Sequence, residues 1–235
     1  LGLTSDARHG PLPALLLLLT MSTGLIDAVT FLRLGHVFVA NMTGNVVFLA
    51  FALGGATEFS IPASGTALAC FLMGALAGGR LHRRLKAHRG RQLAIACGIQ
   101  VILVCGAVAL SLGADWHGQD FAATSARYVM IALLAAAMGL QNAVSRSIGV
   151  PGLTTTVLTM TLTGIAADSP LGAAMAGSPL RPLGVVALFV GAALGALLVL
   201  NRDTSLALGG ALALLATVGM AAHLLSRRMP AWVSP

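Results

Sequence analysis

One carboxylate lies inside a long apolar segment of the sequence. Asp27 interrupts a leucine-rich run, and by helical spacing it shares a face with small and hydroxyl-bearing residues: Thr20, Thr23, Gly24 and Thr30. A charged side chain at the bilayer centre costs about 2.5–3.5 kcal/mol on insertion scales, so it faces a bundle interior or a water-filled cavity. Asp27 is therefore either a substrate or proton site, or a structural lock bonded to another helix, to Arg33 or to Arg146.

A second polar cluster interrupts the next apolar segment. It places two amides, a hydroxyl and a glycine close together: Asn41, Thr43, Gly44 and Asn45. Irregular backbone survives at membrane depth only where protein buries it or water lines it. The pattern predicts a half-helix capped by Thr43 or Asn45 and running to Leu53, whose positive end suits an anion or a neutral polar solute. A helix-packing notch is the alternative.

Further polar candidates occur later in the chain. Gln141 and Asn142 lie near the end of one apolar segment, and a threonine-rich segment at 154–167 contributes Thr155, Thr156 and Thr159. These residues are predicted to line a solute or ion pathway with Asp27. The threonines can equally bond to carbonyls of their own helix. Gln100 in the fourth segment is a weaker candidate for this polar centre, and an inter-helix hydrogen bond is the favoured interpretation.

The sets of residues that soluble enzymes use do not appear. The sequence holds no nucleophile elbow, no phosphate-binding glycine loop and no paired carboxylates, and its six histidines form no ligand pattern. We therefore expect no enzymatic activity, no metal and no cofactor.

Composition indicates that lipid surrounds most of the chain. Apolar residues make up 57% of the 235 residues and charged residues 9%, against about 25% charged in soluble domains. The chain is predicted to be a polytopic integral membrane protein with the lipid bilayer as its main partner. Its net charge of +7 does not indicate nucleic acid, because the basic residues crowd into loop 80–91 and the tail, as the positive-inside rule produces.

Eight apolar segments follow one another, at about 11–32, 37–53, 61–79, 93–112, 126–145, 154–167, 182–200 and 205–225. The first is interpreted as a transmembrane helix and not as a signal peptide. The second and sixth are shorter and more polar than a span of about 20 residues requires. The sequence predicts an all-α membrane bundle with six spanning helices and two re-entrant or broken segments, or alternatively seven or eight spans.

The chain also repeats itself. The stretch from Gly24 to Thr30 returns at Gly139 to Ser145, and later a Gly-x-x-x-Gly pair in each half follows: Gly74 and Gly78, then Gly191 and Gly195. One transmembrane domain, 1–235, is thus predicted to hold two related halves, about 11–113 and 126–225. The glycine pairs allow close helix approach. We expect the third and seventh segments to pack across a two-fold axis, with a homodimer contact as the competing use.

Charge distribution sets the expected orientation. With six crossings, the repeats are inverted, and loop 80–91 and both termini share one side. That side is predicted to be cytoplasmic. The plan resembles that of transporters with inverted repeats and broken helices.

Two stretches carry a resemblance to a known family. The run from Asp27 to Gly35 with the Asn-Met-Thr-Gly-Asn motif at 41–45, and the later Gly139 to Ala143 with Thr155 to Thr159, are similar to the YoaK-like family of bacterial inner-membrane proteins. The resemblance implies a multi-pass inner-membrane protein and supplies no substrate.

Two functions remain open from sequence. The first is a permease or channel-like transporter for a small polar or anionic solute, proton-coupled if Asp27 titrates. The second is a structural or regulatory membrane protein in which the polar groups lock helices together.

Overall fold

The computed structural model describes residues 9–85, 88–112, 125–150, 162–163, 166, 180–228 and 232–233. Their regular structure is helical, and no strand occurs within these ranges. In chain order the helices are α1 (Leu12–Arg33), α2 (Met42–Leu53), α3 (Ile61–Leu85), α4 (Arg89–Leu112), α5 (Ser125–Ile148), α6 (Arg181–Asn201) and α7 (Thr204–Arg228). The predicted all-α fold is confirmed.

Proline and glycine mark helix boundaries. Pro13 and Pro182 lie in the first turns of α1 and α6, where a missing N–H breaks no intrahelical hydrogen bond. After α1 ends, Gly35 and His36 follow with φ values of 90° and 54°. A right-handed helix cannot continue through left-handed conformations, so the chain turns back here.

Six of these helices are long and apolar enough to cross a membrane, all except α2. A span must cover about 30 Å of hydrocarbon. The 12 residues of α2 reach only about 18 Å at the helical rise of 1.5 Å per residue. The six predicted spans are therefore present, and the second apolar segment is broken as expected. Most of the threonine-rich segment lies outside the described residues.

Side-chain contacts show that α1 and α5 run in opposite directions. Arg127, near the start of α5, donates to the Leu34 carbonyl just after the end of α1. Nearer the other end of α5, Gln141 donates to the Leu19 carbonyl. The beginning of each helix therefore lies beside the end of the other.

Helix α3, in contrast, runs parallel to α5. Gly74 lies against Ala136, and one turn later Gly78 lies against Leu140. Because α3 is parallel to α5, it is antiparallel to α1. The residues between α1 and α3 consequently start and finish at the same end of the bundle, so the second segment does not cross it.

The Gly-x-x-x-Gly pairs do not pack against each other, so that prediction is wrong. Gly74 and Gly78 of α3 face α5, whereas Gly191 and Gly195 of α6 face α1. A Cβ at Gly191 would overlap the Met21 carbonyl oxygen, and one at Gly74 would overlap that of Ala136. Matching motifs in the two halves thus mark equivalent environments and not mutual contact.

Each partner helix supplies a glycine of its own. Gly139 of α5 lies against the Phe71 backbone, and Gly24 of α1 lies against the Leu188 backbone. Small residues on both sides let the backbones approach closely, which is how dispersion forces hold helices together in lipid. These glycine faces are filled within one chain, so they are not available for a homodimer contact.

Packing places α1 and α5 at the centre. They are the most buried spans, whereas α3 and α6 present large apolar side chains such as Leu72 and Phe189 outward. Between the two central helices, α4 packs on α5 and α7 packs on α1, and α4 and α7 also pack on each other. The interior polar groups therefore come mainly from α1 and α5.

One end of the bundle gathers several helix ends. The buried Trp232 ring lies against Gly10 and Gly90, and the Arg89 N–H donates to the Val233 carbonyl at 2.8 Å. We call this the basic end. It is formed by the start of α1, the end of α3, the start of α4 and the ends of α5 and α7, and it carries the basic stretch 80–91. The sequence treated this stretch as a loop, but 80–85 belong to α3 and 89–91 to α4. That the basic end faces the cytoplasm stays a prediction.

The close glycine contacts predict that adding one methyl group destabilises the protein at some glycines and not at others. Gly74→Ala or Gly191→Ala should lower the thermal unfolding midpoint in detergent, because overpacking costs about 1–3 kcal/mol. Gly79→Ala is the matched control, since a Cβ there meets nothing within 4 Å. It should leave the midpoint unchanged or raise it. Equal midpoints for Gly74→Ala and Gly79→Ala would contradict the α3–α5 packing.

Candidate functional site

Asp27 holds the non-helical chain that follows α1. One of its carboxylate oxygens, Oδ1, accepts the N–H groups of Val39 and Ala40, each at 3.0 Å. Asp27 precedes Arg33 by six residues, so the chain at Val39 and Ala40 reaches back about 9 Å along α1. Arg33 is not its partner, because that guanidinium donates to the Val199 carbonyl at 2.9 Å. The carboxylate thus pairs with backbone and not with a cation.

Asn45 of α2 also binds the non-helical chain that follows α1. Its Oδ1 accepts the Phe38 N–H at 2.9 Å, and its Nδ2 donates to the Phe38 carbonyl. The buried amide therefore satisfies both polar groups of one peptide residue, as a neighbouring β-strand would. Together, Asp27 and Asn45 pair four backbone groups at 38–40. We call these two side chains with residues 38–40 the latch.

Aromatic rings cover the latch. Phe38 stacks on Phe31 with a centroid distance of 4.9 Å and on Phe48 at 5.8 Å, and Phe48 stacks on Phe59 at 4.7 Å. The rings belong to α1, the broken segment, α2 and the chain before α3. They pack over Phe38 and join the second segment to its neighbours.

The Asn-Met-Thr-Gly-Asn motif does not cap α2 in the way that the sequence predicted. Asn41 is the N-cap residue of α2 but makes no side-chain cap bond, and Asn45 lies inside the helix, so the predicted cap at Thr43 or Asn45 is wrong. Asn41 and Thr43 are exposed. Gly44 is half-buried, and a Cβ there would lie 2.9 Å from the Phe38 ring. Gly44 therefore leaves space for the aromatic cover.

Gln141 lies between the two central helices. Its Nε2 donates to Thr23 Oγ1 at 2.8 Å and to the Leu19 carbonyl at 3.3 Å. Asn142 points elsewhere and donates to the Met138 carbonyl of its own helix at 3.0 Å. The structure thus joins Gln141 to α1, one helical turn from Asp27. Thr155, Thr156 and Thr159 lie outside the described residues.

Most hydroxyls on α1 bond to their own helix. The donors and their acceptor carbonyls are Thr20 to Leu16, Ser22 and Thr23 to Leu19, and Thr30 to Asp27. Such bonds need no ligand. Thr23 alone among these four also receives a donor from another helix in the described contacts.

Several buried polar atoms have no partner within the part of the chain that the structure describes. Along the middle of the helices they are both amide atoms of Gln100, Oε1 of Gln141 and Oγ of Ser145, and at the basic end they are Nη1 of Arg89 and Nε1 of Trp232. The expected inter-helix hydrogen bond of Gln100 is therefore wrong. Leaving such a group unpaired costs about 1–3 kcal/mol, so water or a solute is the usual explanation. Sequence reasoning missed Ser145, whose type and spacing relative to Gln141 were visible.

Arg127 is a further residue that the sequence did not single out. It is 7% exposed, and its Nε donates to the Leu34 carbonyl at 2.6 Å. Its guanidinium occupies the space that a side chain at Gly35 would fill. Arg127 therefore anchors the turn at the end of α1 to α5. No group of three or more metal-ligating residues occurs in the described ranges.

Comparison with known proteins places this chain in a family. Residues 15–221 match the model of the DUF1275 family, described as proteins of unknown function. The chain belongs to this family.

A curated relative gives the location. The UPF0700 transmembrane protein YoaK of Bacillus subtilis (strain 168) is 32% identical over 159 residues, which is 66% of this chain and 65% of YoaK. The aligned part thus spans just under two thirds of that relative. No solved structure matches the chain. With six candidate spans, the DUF1275 chain is a multi-pass membrane protein.

The latch predicts a difference between two substitutions of Asp27. Asp27→Asn keeps an oxygen acceptor for Val39 and Ala40, whereas Asp27→Leu removes it and leaves two buried N–H groups unpaired, each costing about 1–3 kcal/mol. Thermal unfolding in detergent should therefore show a much lower midpoint for Asp27→Leu than for Asp27→Asn. Asn45→Ala should resemble Asp27→Leu. Exposed Thr43→Ala is the control, and a loss as large as that of Asn45→Ala would refute the latch.

Proposed function

We propose that the protein is a permease or channel-like transporter for a small polar solute in a bacterial inner membrane. The observation that carries the proposal is the set of unpaired polar atoms on Gln100, Gln141 and Ser145 inside the bundle. A bundle that served only as an anchor would gain stability by replacing them with apolar groups. Amide and hydroxyl groups offer both donors and acceptors, which suits a neutral polar or anionic solute.

These groups follow a track along the central helices. Asp27 and Thr23 are one turn apart on α1, Thr23 is bonded to Gln141, and Ser145 is one turn beyond Gln141 on α5. Because α1 and α5 are antiparallel, the track runs from the latch towards the basic end. Gln100 lies halfway along α4, which packs against α5. A solute that passes between polar groups at this spacing would exchange its hydrating water molecules for these groups one step at a time.

The helix pairing supports a two-fold design. In the proposed duplication, α1 corresponds to α5, α3 to α6 and α4 to α7. The contact of α1 with α6 then corresponds to that of α5 with α3. The contact of α1 with α7 likewise corresponds to that of α5 with α4. The paired helices also run in matching directions. We infer that the chain is an internal duplication with inverted halves, the plan on which many alternating-access transporters are built.

Proton coupling through Asp27 is a finer part of the proposal. The Asp27 carboxylate accepts two N–H groups just before the N-terminus of α2. Protonation would leave Oδ1 as a neutral acceptor, so both charge-assisted hydrogen bonds would become weaker and the latch easier to open, though still closed at rest. A conformational step at the second segment would then depend on proton uptake from the side opposite the basic end. We place the basic end in the cytoplasm by the positive-inside rule.

A second candidate is a structural or regulatory membrane protein without transport or enzymatic activity. The observation that favours it is that Asp27 and Asn45 bond to the chain's own backbone. In that case these polar residues would serve the fold alone. The two candidates differ in whether solute crosses a membrane that contains the protein.

Stopped-flow light scattering of proteoliposomes tests the transport proposal. The vesicles would be exposed to gradients of urea, glycerol, acetate or phosphate, and at least one solute should cross faster than in protein-free vesicles. Gln141→Leu combined with Ser145→Ala should slow that solute at least tenfold. Thr217→Ala, an exposed hydroxyl on α7, is the control and should have no effect. Protein-free rates for all four solutes, with folded protein present, would favour the structural candidate.

Proton coupling has its own test. With a pH-sensitive dye inside the vesicles, addition of the transported solute should change the internal pH in the wild type. Asp27→Asn should abolish this pH change while leaving the fold intact, because the amide oxygen still holds the latch. An unchanged proton flux in Asp27→Asn would remove Asp27 from coupling but leave transport itself untouched.

A further inference from the structure

A groove between α4 and α7 opens at the basic end of the bundle, away from the latch. It has a volume of about 810 Å³. Its mouth carries His88, Arg91, His223 and Arg227, and its inner part is apolar, with Val101 and Leu215 among the lining residues. No acidic side chain lines it within the described ranges. The groove thus combines a cationic mouth with a hydrocarbon-like interior.

Glycines shape the apolar part. Gly98 and Gly219 face the groove from opposite helices, and a Cβ at Gly98 would meet nothing within 4 Å. A Cβ at Gly219 would lie 3.0 Å from the Cys97 Cβ, so α4 and α7 are close together there, whereas the missing side chain at Gly98 leaves open space. A second, shallow hollow of about 480 Å³ shares Ala216 and Met220 with the groove and lies beside it on the neighbouring face of α7. The apolar surface is therefore continuous, and not a single small pocket.

The dimensions of the groove match one leaflet. From Arg91 to Val101 it follows α4 for about 15 Å, and from Leu215 to Arg227 it follows α7 for about 18 Å. The hydrocarbon core of a bilayer is about 30 Å thick, so each leaflet contributes about 15 Å. An acyl chain that enters between α4 and α7 would therefore end where the groove ends, with its headgroup at the basic mouth.

We propose that this groove binds one anionic phospholipid, with the phosphate-bearing headgroup between Arg91 and Arg227 and an acyl chain between α4 and α7. Both arginines are exposed, so their charges are free to meet a headgroup at the membrane surface. Basic residues near the surface attract anionic lipid by about 1 kcal/mol each. A zwitterionic lipid fills the apolar part equally well but gains less at the mouth. Charge complementarity therefore selects the anionic class.

The proposal is independent of transport, because none of its residues belongs to the latch or to the polar track. Lipid binding at this position would join the start of α4 to the end of α7, whose contacts close the basic end of the bundle. We therefore expect bound anionic lipid to raise the thermal unfolding midpoint.

Native mass spectrometry of the detergent-purified protein, titrated with phosphatidylglycerol, tests the groove. The wild type should retain one phosphatidylglycerol and bind phosphatidylcholine at least tenfold more weakly. Arg91→Gln with Arg227→Gln should weaken phosphatidylglycerol roughly tenfold to thirtyfold. The matched control is Arg83→Gln with Arg84→Gln, two exposed arginines of α3 outside the groove. This control removes the same charge and should bind as the wild type does.

A second variant separates a lipid from a free anion. Gly98→Leu fills the apolar part without touching the arginines, so it should lose phosphatidylglycerol. Inorganic phosphate at millimolar concentration should not displace the lipid or raise the unfolding midpoint. The proposal is overturned if Gly98→Leu keeps full lipid affinity, if phosphate alone gives the same stabilisation, or if the Arg83 and Arg84 control loses as much binding as the groove variant.

Discussion

The fold depends on how backbone polar groups are hydrogen-bonded where the second apolar segment is not helical. After α1 the chain turns back and runs unwound beside its own helix, where lipid offers no hydrogen bonds. Asp27 pairs two N–H groups, and Asn45 pairs the N–H and the carbonyl of Phe38. If these bonds were missing, the segment would have to become helical or leave the membrane. A continuous second span would reverse α3, and the parallel contact of α3 with α5 could not form.

The glycine contacts then decide which helices enclose the polar groups. Because Gly24 and Gly191 bring α1 and α6 together, and Gly74 and Gly139 bring α3 and α5 together, α1 and α5 are each covered on one side. Their remaining faces meet α4, α7 and each other. The side chains that hydrogen-bond there, above all Gln141 on Thr23, are thereby removed from lipid. The same helix arrangement thus brings the backbones close together and encloses the polar side chains.

Much of this architecture follows from the sequence, and the failures have physical causes. Six spans, the broken second segment and the importance of Asp27 and Asn45 were predictable, because apolar length and polar interruption are properties of residue types. The partners of Asp27 were not, since backbone N–H groups leave no signature in a sequence. The cap at Asn45 failed because capping depends on backbone dihedral angles. The pairing of the glycine motifs failed because a repeat indicates like surroundings and says nothing about mutual contact.

If the chain is the internal duplication proposed above, its two halves differ in one ionisable side chain inside the bundle. The repeat places Asp27 of α1 opposite Asn142 of α5, so one half has a carboxylate where the other has an amide. A carboxylate only accepts hydrogen bonds while it is ionised, and the N–H groups of Val39 and Ala40 are both donors. An amide at that place would accept the same bonds but could not change charge. In the proposed transporter with inverted halves, this position could therefore take up a proton only in the first half, and the relative free energies of the inward-facing and outward-facing states would depend on pH.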